Sequence, residues 1–223
     1  MKVCTDSCLF GAWLANKFQS KNFRVSEVLD IGTGTGLLAL MLAQKSTATF
    51  DAVEISAKAY EQALQNFAAS PWCRRLHAIH ADVNNLPPTK KYDLIISNPP
   101  FYEGDLQADD HHKNLARHHE GLSLKQLIAV TKTSLLSHGS FAVLLPFRRV
   151  DFFINAASES GFHLQEKVLV RPSPSADFIR GMLFFSLIPA ELISHTITIR
   201  DRDNKYTTEF CNLLEAYYLN VRG

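Results

Sequence analysis

The stretch Val28-Leu29-Asp30-Ile31-Gly32-Thr33-Gly34-Thr35-Gly36 decides the fold of this chain, and the apolar run Leu37–Ala43 follows it. Its first four residues have the apolar character of a buried strand, and the run after the last glycine predicts a helix. Three glycines lie in the turn between them, where the missing Cβ permits tight geometry and close approach of the backbone to a ligand. The stretch therefore predicts the first strand–turn–helix unit of an α/β fold, with a ligand site at the turn.

Carboxylates mark the end of this strand and of two later ones. Asp30 precedes the glycine turn, Glu54 ends the strand-like run Thr49–Glu54, and Asp82 follows the run Leu76–Ala81. The third glycine comes one residue earlier than in the dinucleotide-binding fingerprint. Glu54 nevertheless follows the glycine turn at close to the spacing, roughly 20 residues, at which a carboxylate binds ribose hydroxyls. Taken alone, Glu54 or Asp82 also fits a solvated loop. Three strand ends in register favour a cofactor site.

The tetrapeptide Asn98-Pro99-Pro100-Phe101 directly follows the strand-like run Tyr92–Ser97. An exocyclic amine such as that of adenine shares its lone pair with the ring, so a catalyst must accept hydrogen bonds from both of its N–H groups. The Asn98 side-chain oxygen and the Pro99 carbonyl can supply these two acceptors. Two successive prolines restrict the backbone and hold the acceptors in place before the substrate arrives. Phe101 offers a face on which a base can stack, a contact that contributes roughly 1–3 kcal/mol.

A rigid polar tetrapeptide opposite a cofactor site predicts transfer of a methyl group from S-adenosylmethionine to a planar amino nitrogen. At that site Asp30 can hold the ammonium end of the methionine moiety, Glu54 the ribose hydroxyls and Asp82 the adenine amino group. Taken alone, an Asn-Pro-Pro sequence also fits the plain end of a strand. Its place after this strand and downstream of the glycine turn favours catalysis.

Predicted helices and strands alternate along the chain. The predicted helices are Leu9–Lys17, Leu37–Gln44, Ala57–Ala69, Leu124–Leu136, Val150–Ser158 and Thr208–Leu219, and the later predicted strands are Phe141–Leu145, Phe162–Val170, Met182–Ile188 and His195–Arg200. Alternation at this spacing implies a parallel sheet covered on both faces by helices. With 46% hydrophobic residues among 223, we expect residues 1–223 to form a single domain.

The order of these motifs resembles the class I S-adenosylmethionine-dependent methyltransferases that modify amino groups. The opening Met1-Lys2-Val3-Cys4-Thr5-Asp6, with Gly11-Ala12-Trp13 after it, resembles the bacterial tRNA N6-adenine methyltransferases that act on the adenine beside the anticodon of a valine tRNA. Their opening motif runs Met-Lys-Val-Gly-Thr-Asp-Gly, so Cys4 and Ser7 stand where that family usually has glycine. Both are small, and we expect cofactor binding to survive. The family also carries a short segment before this motif, so the resemblance assigns this chain no function of that segment, such as closing over the cofactor or touching RNA.

The resemblance implies a Rossmann-like α/β fold, with a mostly parallel seven-stranded sheet, an antiparallel last strand at Met182–Ile188 and helices on both faces. It implies S-adenosylmethionine as cofactor, S-adenosylhomocysteine as product and tRNA as substrate. The implied catalytic residues are Asn98, Pro99, Pro100 and Phe101. The implied cofactor-binding residues are Lys2, Thr5, Asp6, Asp30, Gly32, Thr33, Gly34, Gly36, Glu54, Ile55, Asp82, Val83 and Asn98.

Any contact with RNA must depend on a few local basic residues, because the net charge of +1 does not give the protein a broad basic surface. We expect Arg148 and Arg149, which follow a strand, and Arg171 and Arg180, which flank a Pro/Ser loop, to face the RNA. Most basic pairs are ordinary solvated surface, which is the alternative for each. By resemblance, Arg117 orders the polar segment 102–121 or contacts RNA.

Composition favours a cytoplasmic enzyme that we expect to be a monomer. No apolar run approaches the roughly 20 residues that span a bilayer, and the first residues show no signal pattern. The four cysteines form no C-x-x-C pair and are most simply reduced, small apolar fillers. The histidines and acids of the 102–121 segment match no usual spacing of metal ligands, so we predict no metal.

Three alternative functions stay open. Release-factor methyltransferases use an Asn-Pro-Pro-Tyr motif for the same chemistry on a glutamine amide, but they carry a sizeable helical domain before the glycine turn, and only 29 residues precede Asp30 here. A methyltransferase for an rRNA or DNA base amine shares the chemistry of the tetrapeptide. A non-catalytic cofactor-binding module would not need the acceptors of Asn98 and Pro99.

Overall fold

The computed structural model describes residues 4–20, 23–87, 89–99 and 122–219. Within them the helices are α1 (Thr5–Lys17), α2 (Leu37–Ala43), α3 (Ala57–Ala68), α4 (Leu124–Ser134), α5 (Val150–Glu159) and α6 (Thr208–Leu214). The strands are β1 (Glu27–Ile31), β2 (Thr49–Glu54), β3 (Leu76–His80), β4 (Tyr92–Ser97), β5 (Leu135–Pro146), β6 (His163–Arg171), β7 (Arg180–Ser186) and β8 (Ile193–Thr198).

One sheet contains all of these strands, in the order β3-β2-β1-β4-β5-β7-β6-β8. The five strands from β3 to β5 run parallel, and β7 lies antiparallel to both β5 and β6. The predicted fold class is thereby confirmed, including the antiparallel strand expected near Met182–Ile188. The strand count differs, because the described residues give eight strands and not seven. The additional strand, β8, pairs in parallel with Glu166–Arg171 of β6 and covers what would otherwise be an unpaired edge.

The predicted boundaries hold least well between α4 and β5. Helix α4 opens with a capping box, in which Ser123 and Gln126 bond reciprocally to each other's backbone. It ends at Ser134 and not at Leu136, and β5 begins at the next residue, well before the predicted Phe141. Leu135 has extended backbone angles and buries its side chain, so its tertiary packing overrides its helical preference.

Two hydrophobic clusters cover the two faces of the sheet. Side chains alternate between faces along each strand, so Leu94 and Ile96 join one cluster while Ile95 joins the other. The first cluster includes α1, α2 and α6, and the second includes α4 and α5. With both faces covered, the carboxyl ends of the parallel strands form the edge at which ligands bind in such sheets. In the part of the chain described here, no helix is long and apolar enough to cross a membrane.

Candidate active site

The predicted cofactor and reaction motifs meet at the carboxyl ends of β1, β2 and β4. Ile31 of β1 pairs with Val53 of β2 on one side and with Ser97 of β4 on the other. The Ser97 hydroxyl also donates to the Ile31 carbonyl at 2.9 Å. The residues that follow these three strands therefore emerge side by side, at the point where the strand order reverses and where open α/β sheets bind ligands.

The glycine turn requires glycine for two separate reasons. Gly32, Gly34 and Gly36 all have positive φ angles, between 60° and 81°, which other residues rarely adopt. At Gly36 a Cβ would also lie 2.3 Å from Cε1 of Phe67 in α3, so a side chain is excluded by packing as well. The turn is tied to β2, because the Gly32 and Thr33 amides both donate to the Val53 carbonyl, at 2.9 and 3.1 Å.

The Glu54 carboxylate is oriented by backbone amides on both sides. Its Oε2 accepts from the Gly34 amide at 2.8 Å, and its Oε1 accepts from the Ser56 amide at 2.9 Å. A carboxylate has about four acceptor positions, so hydroxyl groups of a ribose can still bind it. The next residue, Ile55, is 62% exposed and offers an apolar surface beside that carboxylate. Both residues therefore fit their predicted roles in holding a nucleoside.

Asp82 lies further along the same edge, where the chain leaves β3. Its Oδ1 accepts from the backbone amide and the side-chain amide of Asn84, both at 2.9 Å. Val83, the next residue, is buried. The Ala81 amide donates to the Glu54 carbonyl at 3.1 Å, which holds the end of β3 against the end of β2. The structure thus brings the predicted Asp82 and Val83 beside Glu54.

Asp30 lies beneath the glycine turn and is fully buried. Its Oδ2 accepts a 2.6 Å hydrogen bond from the Thr33 hydroxyl, while its buried Oδ1 has no hydrogen-bond partner among the described residues. Burial raises the pKa of Asp30 to about 7, against the opposing effects of the Thr33 hydrogen bond and of the nearby Ala39 backbone amide. An orphaned buried acceptor under the turn fits the ammonium group that the sequence assigned to this site.

Asn98 is held by one end of its carboxamide. Nδ2 donates to the Ser7 hydroxyl at 2.8 Å, and the buried Oδ1 has no partner in the described part of the chain. Pro99 is buried directly after it. The arrangement leaves a fixed oxygen acceptor unsatisfied at the end of β4, where the sequence placed an acceptor for an amine. The predicted residues Pro100, Phe101, Lys2 and Arg117, and the 102–121 segment, lie outside the described residues.

The start of α1 faces this edge of the sheet. Asp6 Oδ2 lies 2.7 Å from Arg180 Nε, which joins a predicted cofactor residue to a predicted RNA residue. Thr5, the first residue of the helix, is half-buried and bonds to Tyr218. Ser7 was not predicted as a site residue and stood out only because it replaces a glycine of the family motif. No local pattern in the sequence links it to a residue as distant as Asn98.

Four of the five predicted RNA-binding arginines lie among the described residues, and they differ in their surroundings. Arg171 donates to the Thr198 hydroxyl at 2.9 Å and to the Pro174 carbonyl at 3.1 Å, so it braces the loop that follows β6. Arg180 pairs with Asp6, as described above. Arg148 is exposed in the short turn after β5, and Arg149 follows it. The arginines therefore lie at one edge of the sheet, but only some of their charge faces solvent.

An aromatic pair accompanies these arginines. Phe147 is 38% exposed, and its ring centroid lies 5.3 Å from that of Phe178, against which the Arg171 guanidinium also packs, 6.0 Å from the ring centroid. The Phe147 amide donates to the Ile179 carbonyl at 3.0 Å, which fixes the pair to the start of β7. Phe147 was not among the predicted site residues, although its place beside two arginines at the end of a strand could have been noticed in the sequence.

Two other features lie apart from this site. A cleft of about 440 Å³ between α1, β8 and α6, lined in part by Trp13 and His195, contains none of the predicted site residues. Across the described ranges, no group of three or more His, Cys, Asp or Glu side chains could hold a metal ion.

Comparison with known proteins shows the family and the fold of this chain. The family model described as the methyltransferase small domain matches residues 10–143. The chain belongs to this family. It is 36% identical over 222 residues to a protein of Pseudoalteromonas translucida, with 99% of this chain and 93% of the relative covered, and 39% identical to a protein of Aliivibrio salmonicida, with 99% and 92% covered. Both relatives are named tRNA1(Val) (adenine(37)-N6)-methyltransferase.

Solved structures share the fold at low sequence identity. A predicted O-methyltransferase from Agrobacterium tumefaciens has a TM-score of 0.72 at 17% identity, with 94% of this chain and 95% of the other covered. A putative RNA methyltransferase from Pyrococcus horikoshii has a TM-score of 0.59 at 17% identity, with 80% and 82% covered. The resemblance predicted from the motifs of this methyltransferase is confirmed, both in fold and in family.

Proposed function

We propose that this methyltransferase transfers a methyl group from S-adenosylmethionine to the exocyclic N6 amine of an adenine in tRNA. By analogy with the names of its relatives, the target is the adenine at position 37 of a valine tRNA. The observation that carries the proposal is the hydrogen bonding of Asn98. Its Nδ2 donates to Ser7, while its buried Oδ1 has no hydrogen-bond partner among the described residues. An adenine amine supplies such a donor.

The described residues fit S-adenosylmethionine. Glu54 would hold the ribose hydroxyls, Asp82 and Val83 the adenine, and the glycine turn with Asp30 the methionine end. When bound, this cofactor supplies an electrophilic methyl group on a positively charged sulfur. Its ammonium group would also meet Asp30 Oδ1, which has no hydrogen-bond partner in the described part of the chain, and burial raises the pKa of this carboxyl to about 7. A nearby positive charge favours the ionised carboxyl and so lowers that pKa.

The acceptors at the end of β4 prepare the amine for reaction. Asn98 Oδ1 and the Pro99 carbonyl each accept one N–H, which draws the nitrogen lone pair out of the ring and aims it at the cofactor side. Positive charge builds on this nitrogen as the new bond forms, so both hydrogen bonds strengthen in the transition state. The amine can lose its proton once it is cationic, and no strong base is required of the protein.

The surface beside Asn98 suits an unpaired nucleic-acid loop. A target amine inside a stacked loop cannot reach Oδ1, so the base must be extruded into the site. Sequence-specific RNA recognition favours loops whose bases splay out and stack on aromatic side chains. Phe147, half-exposed beside the arginines at the same edge, offers such a face, and the charge of Arg148 suits a phosphate. These features favour RNA over the glutamine loop of a release factor.

The proposal is tested by methyl transfer from labelled S-adenosylmethionine to transcribed substrates. We expect incorporation into a valine tRNA with adenine at position 37, and none into the same tRNA with guanine there. Release factor, ribosomal RNA and DNA serve as competing substrates. Labelling of release factor in preference to tRNA would contradict the proposal.

We further propose that the protein acts as a single-domain monomer in the cytoplasm without a metal. Sedimentation tests the oligomeric state, and an assay in EDTA tests the metal dependence.

A further inference from the structure

Ser7 joins the first turn of α1 to the reaction site. Its side chain is buried, with 6% of its surface exposed. The Ser7 Oγ lies 2.8 Å from Asn98 Nδ2 and 3.0 Å from Cys4 Sγ. The Asp6–Arg180 ion pair holds the same helical turn against β7. The hydroxyl therefore lies between the exposed thiol of Cys4 and the carboxamide at the end of β4.

The two ends of the Asn98 carboxamide have opposite effects on an amine. An oxygen that faces the substrate accepts a hydrogen bond from the amine and favours the reaction. An NH₂ group that faces the substrate is a donor opposite another donor, so it repels the amine. A serine hydroxyl can bond to either end, because it is both donor and acceptor. When the Ser7 hydroxyl donates its proton to the Cys4 sulfur, only its lone pairs face Asn98. The carboxamide must then present Nδ2 to Ser7 and Oδ1 to the site.

We propose that Ser7 is a positioning residue, which fixes the Asn98 carboxamide with Oδ1 toward the amine, and that Cys4 sets the direction of the Ser7 hydroxyl. The inference rests on the proposed function, since it assigns the reacting role to Asn98. This hydrogen bond cannot form with glycine at position 7, which is the residue of the family motif. Its expected contribution is that of one neutral hydrogen bond, a three- to tenfold effect on turnover.

Substitutions at position 7 test the role through the split between kcat and KM. We expect Ser7→Ala to lower kcat about three- to tenfold, while the KM for tRNA and the Kd for S-adenosylhomocysteine stay within about twofold. Ser7→Thr, which keeps the hydroxyl, should restore kcat. Cys4→Ala should give an intermediate loss, and parent-like turnover in that variant would overturn the part assigned to Cys4. A Ser7→Ala variant with unchanged kcat, or with a loss confined to KM, would overturn the positioning role.

A symmetric side chain at position 98 makes the test sharper. In Asn98→Asp both ends are oxygens, so orientation no longer matters. We therefore expect Ser7→Ala to cause no further loss of kcat in the Asn98→Asp background. An equal loss in both backgrounds would mean that Ser7 acts through general packing, which overturns the proposal.

A measurement without turnover separates this inference from the proposed function. The side-chain NH₂ resonances of Asn98 in a ¹⁵N spectrum are assigned by their absence in Asn98→Asp. We expect Ser7→Ala to shift these resonances and speed their exchange with water, whereas Ser7→Thr preserves them. Unchanged resonances in Ser7→Ala would overturn the hydrogen bond. A parent enzyme inactive on tRNA would count against the proposed function alone.

Discussion

The carboxylate of Asp6 lies 2.7 Å from the guanidinium of Arg180, which joins the first turn of α1 to the first residue of β7. The two side chains are 23% and 28% exposed, so the pair is partly shielded from solvent. The family resemblance implied that Asp6 binds the cofactor, and Arg180 was predicted to face the RNA because it flanks the Pro/Ser loop. Their pairing gives both a shared structural role, because it fixes the helix that carries Ser7 over the carboxyl edge of the sheet.

Removal of this ion pair should loosen the start of α1. We expect Arg180→Ala to lower the free energy of unfolding by about 1 kcal/mol, the upper end for a partly exposed pair. Affinity for S-adenosylhomocysteine should fall as well, since Thr5 and Asp6 lose their anchor. Calorimetry measures both quantities, with the exposed Arg148→Ala as a matched control that should change neither. Parent-like stability in Arg180→Ala would argue that the pair is only a surface contact.

Loss of the Asn98 acceptor should separate binding from chemistry. We expect Asn98→Ala to leave the affinity for S-adenosylhomocysteine nearly intact and to lower kcat by about 10²–10³, the cost of removing one preorganised hydrogen-bonding group. The reason is that the acceptor matters most as charge builds on the amine. Single-turnover kinetics with saturating tRNA measure the effect. Unchanged turnover would exclude Asn98 from the reaction.

Glu54 should matter for the cofactor in two ways. Its carboxylate accepts hydrogen bonds from the Gly34 and Ser56 amides, which tie the glycine turn to the end of β2. It is also available to ribose hydroxyls, whose hydrogen bonds to a charged acceptor are each worth about 1.5–3 kcal/mol. We expect Glu54→Ala to weaken binding of S-adenosylhomocysteine by at least that amount, and Glu54→Gln to weaken it less. Titration calorimetry provides the measurement, with NAD as a ligand that should not bind. Binding of NAD without S-adenosylmethionine would refute the cofactor assignment.

The raised pKa of Asp30 should make stability depend on pH. Burial raises this pKa to about 7, whereas an aspartate in the unfolded chain titrates near 3.9. Between about pH 4 and pH 7 the folded state therefore keeps a proton that the unfolded state has released, so the contribution of Asp30 to the free energy of unfolding falls as the pH rises. In urea denaturation, we expect Asp30→Asn to gain stability relative to the parent from pH 4 to pH 7. A difference that stays constant across this range would contradict the raised pKa.

Much of this site could be predicted because its signals are local. The strand, glycine turn and carboxylates follow from short patterns, and parallel pairing brings the ends of neighbouring strands together without further information. Ser7 and Asn98 are different, since they are 91 residues apart and meet only when α1 packs against the sheet. The pairing of Asp6 with Arg180 was missed for the same reason. The edge strand β8 was predicted as a segment, but its pairing with β6 depends on tertiary packing that no local pattern encodes.

The arginines that were predicted to face the RNA are not equally suitable for testing RNA binding by mutation. Arg171 braces the loop after β6, so a change there disturbs the fold, and Arg180 is paired with Asp6. Arg148 is exposed at the same edge. We therefore expect Arg148→Glu to weaken tRNA binding without changing the affinity for S-adenosylhomocysteine. The matched control is Arg74→Glu. Arg74 is exposed just before β3 and therefore lies at the amino ends of the parallel strands, away from the carboxyl ends that form the site.

The exposed ring of Phe147 should contribute to the same surface by stacking. We expect Phe147→Ala to weaken tRNA binding by about 1–3 kcal/mol, the range for one base on an aromatic side chain, and Phe147→Trp to preserve it. Phe152→Ala on α5 removes a similarly exposed ring and should have no effect.

The net charge of +1 leaves few phosphate contacts, so affinity should fall gently with salt, with a slope of about −0.7 for each phosphate neutralised on a single strand. If Arg148→Glu reduces that slope while Phe147→Ala leaves it unchanged, charge and stacking act as separate parts of one RNA surface. If neither variant changes tRNA binding, the RNA contacts another part of the protein.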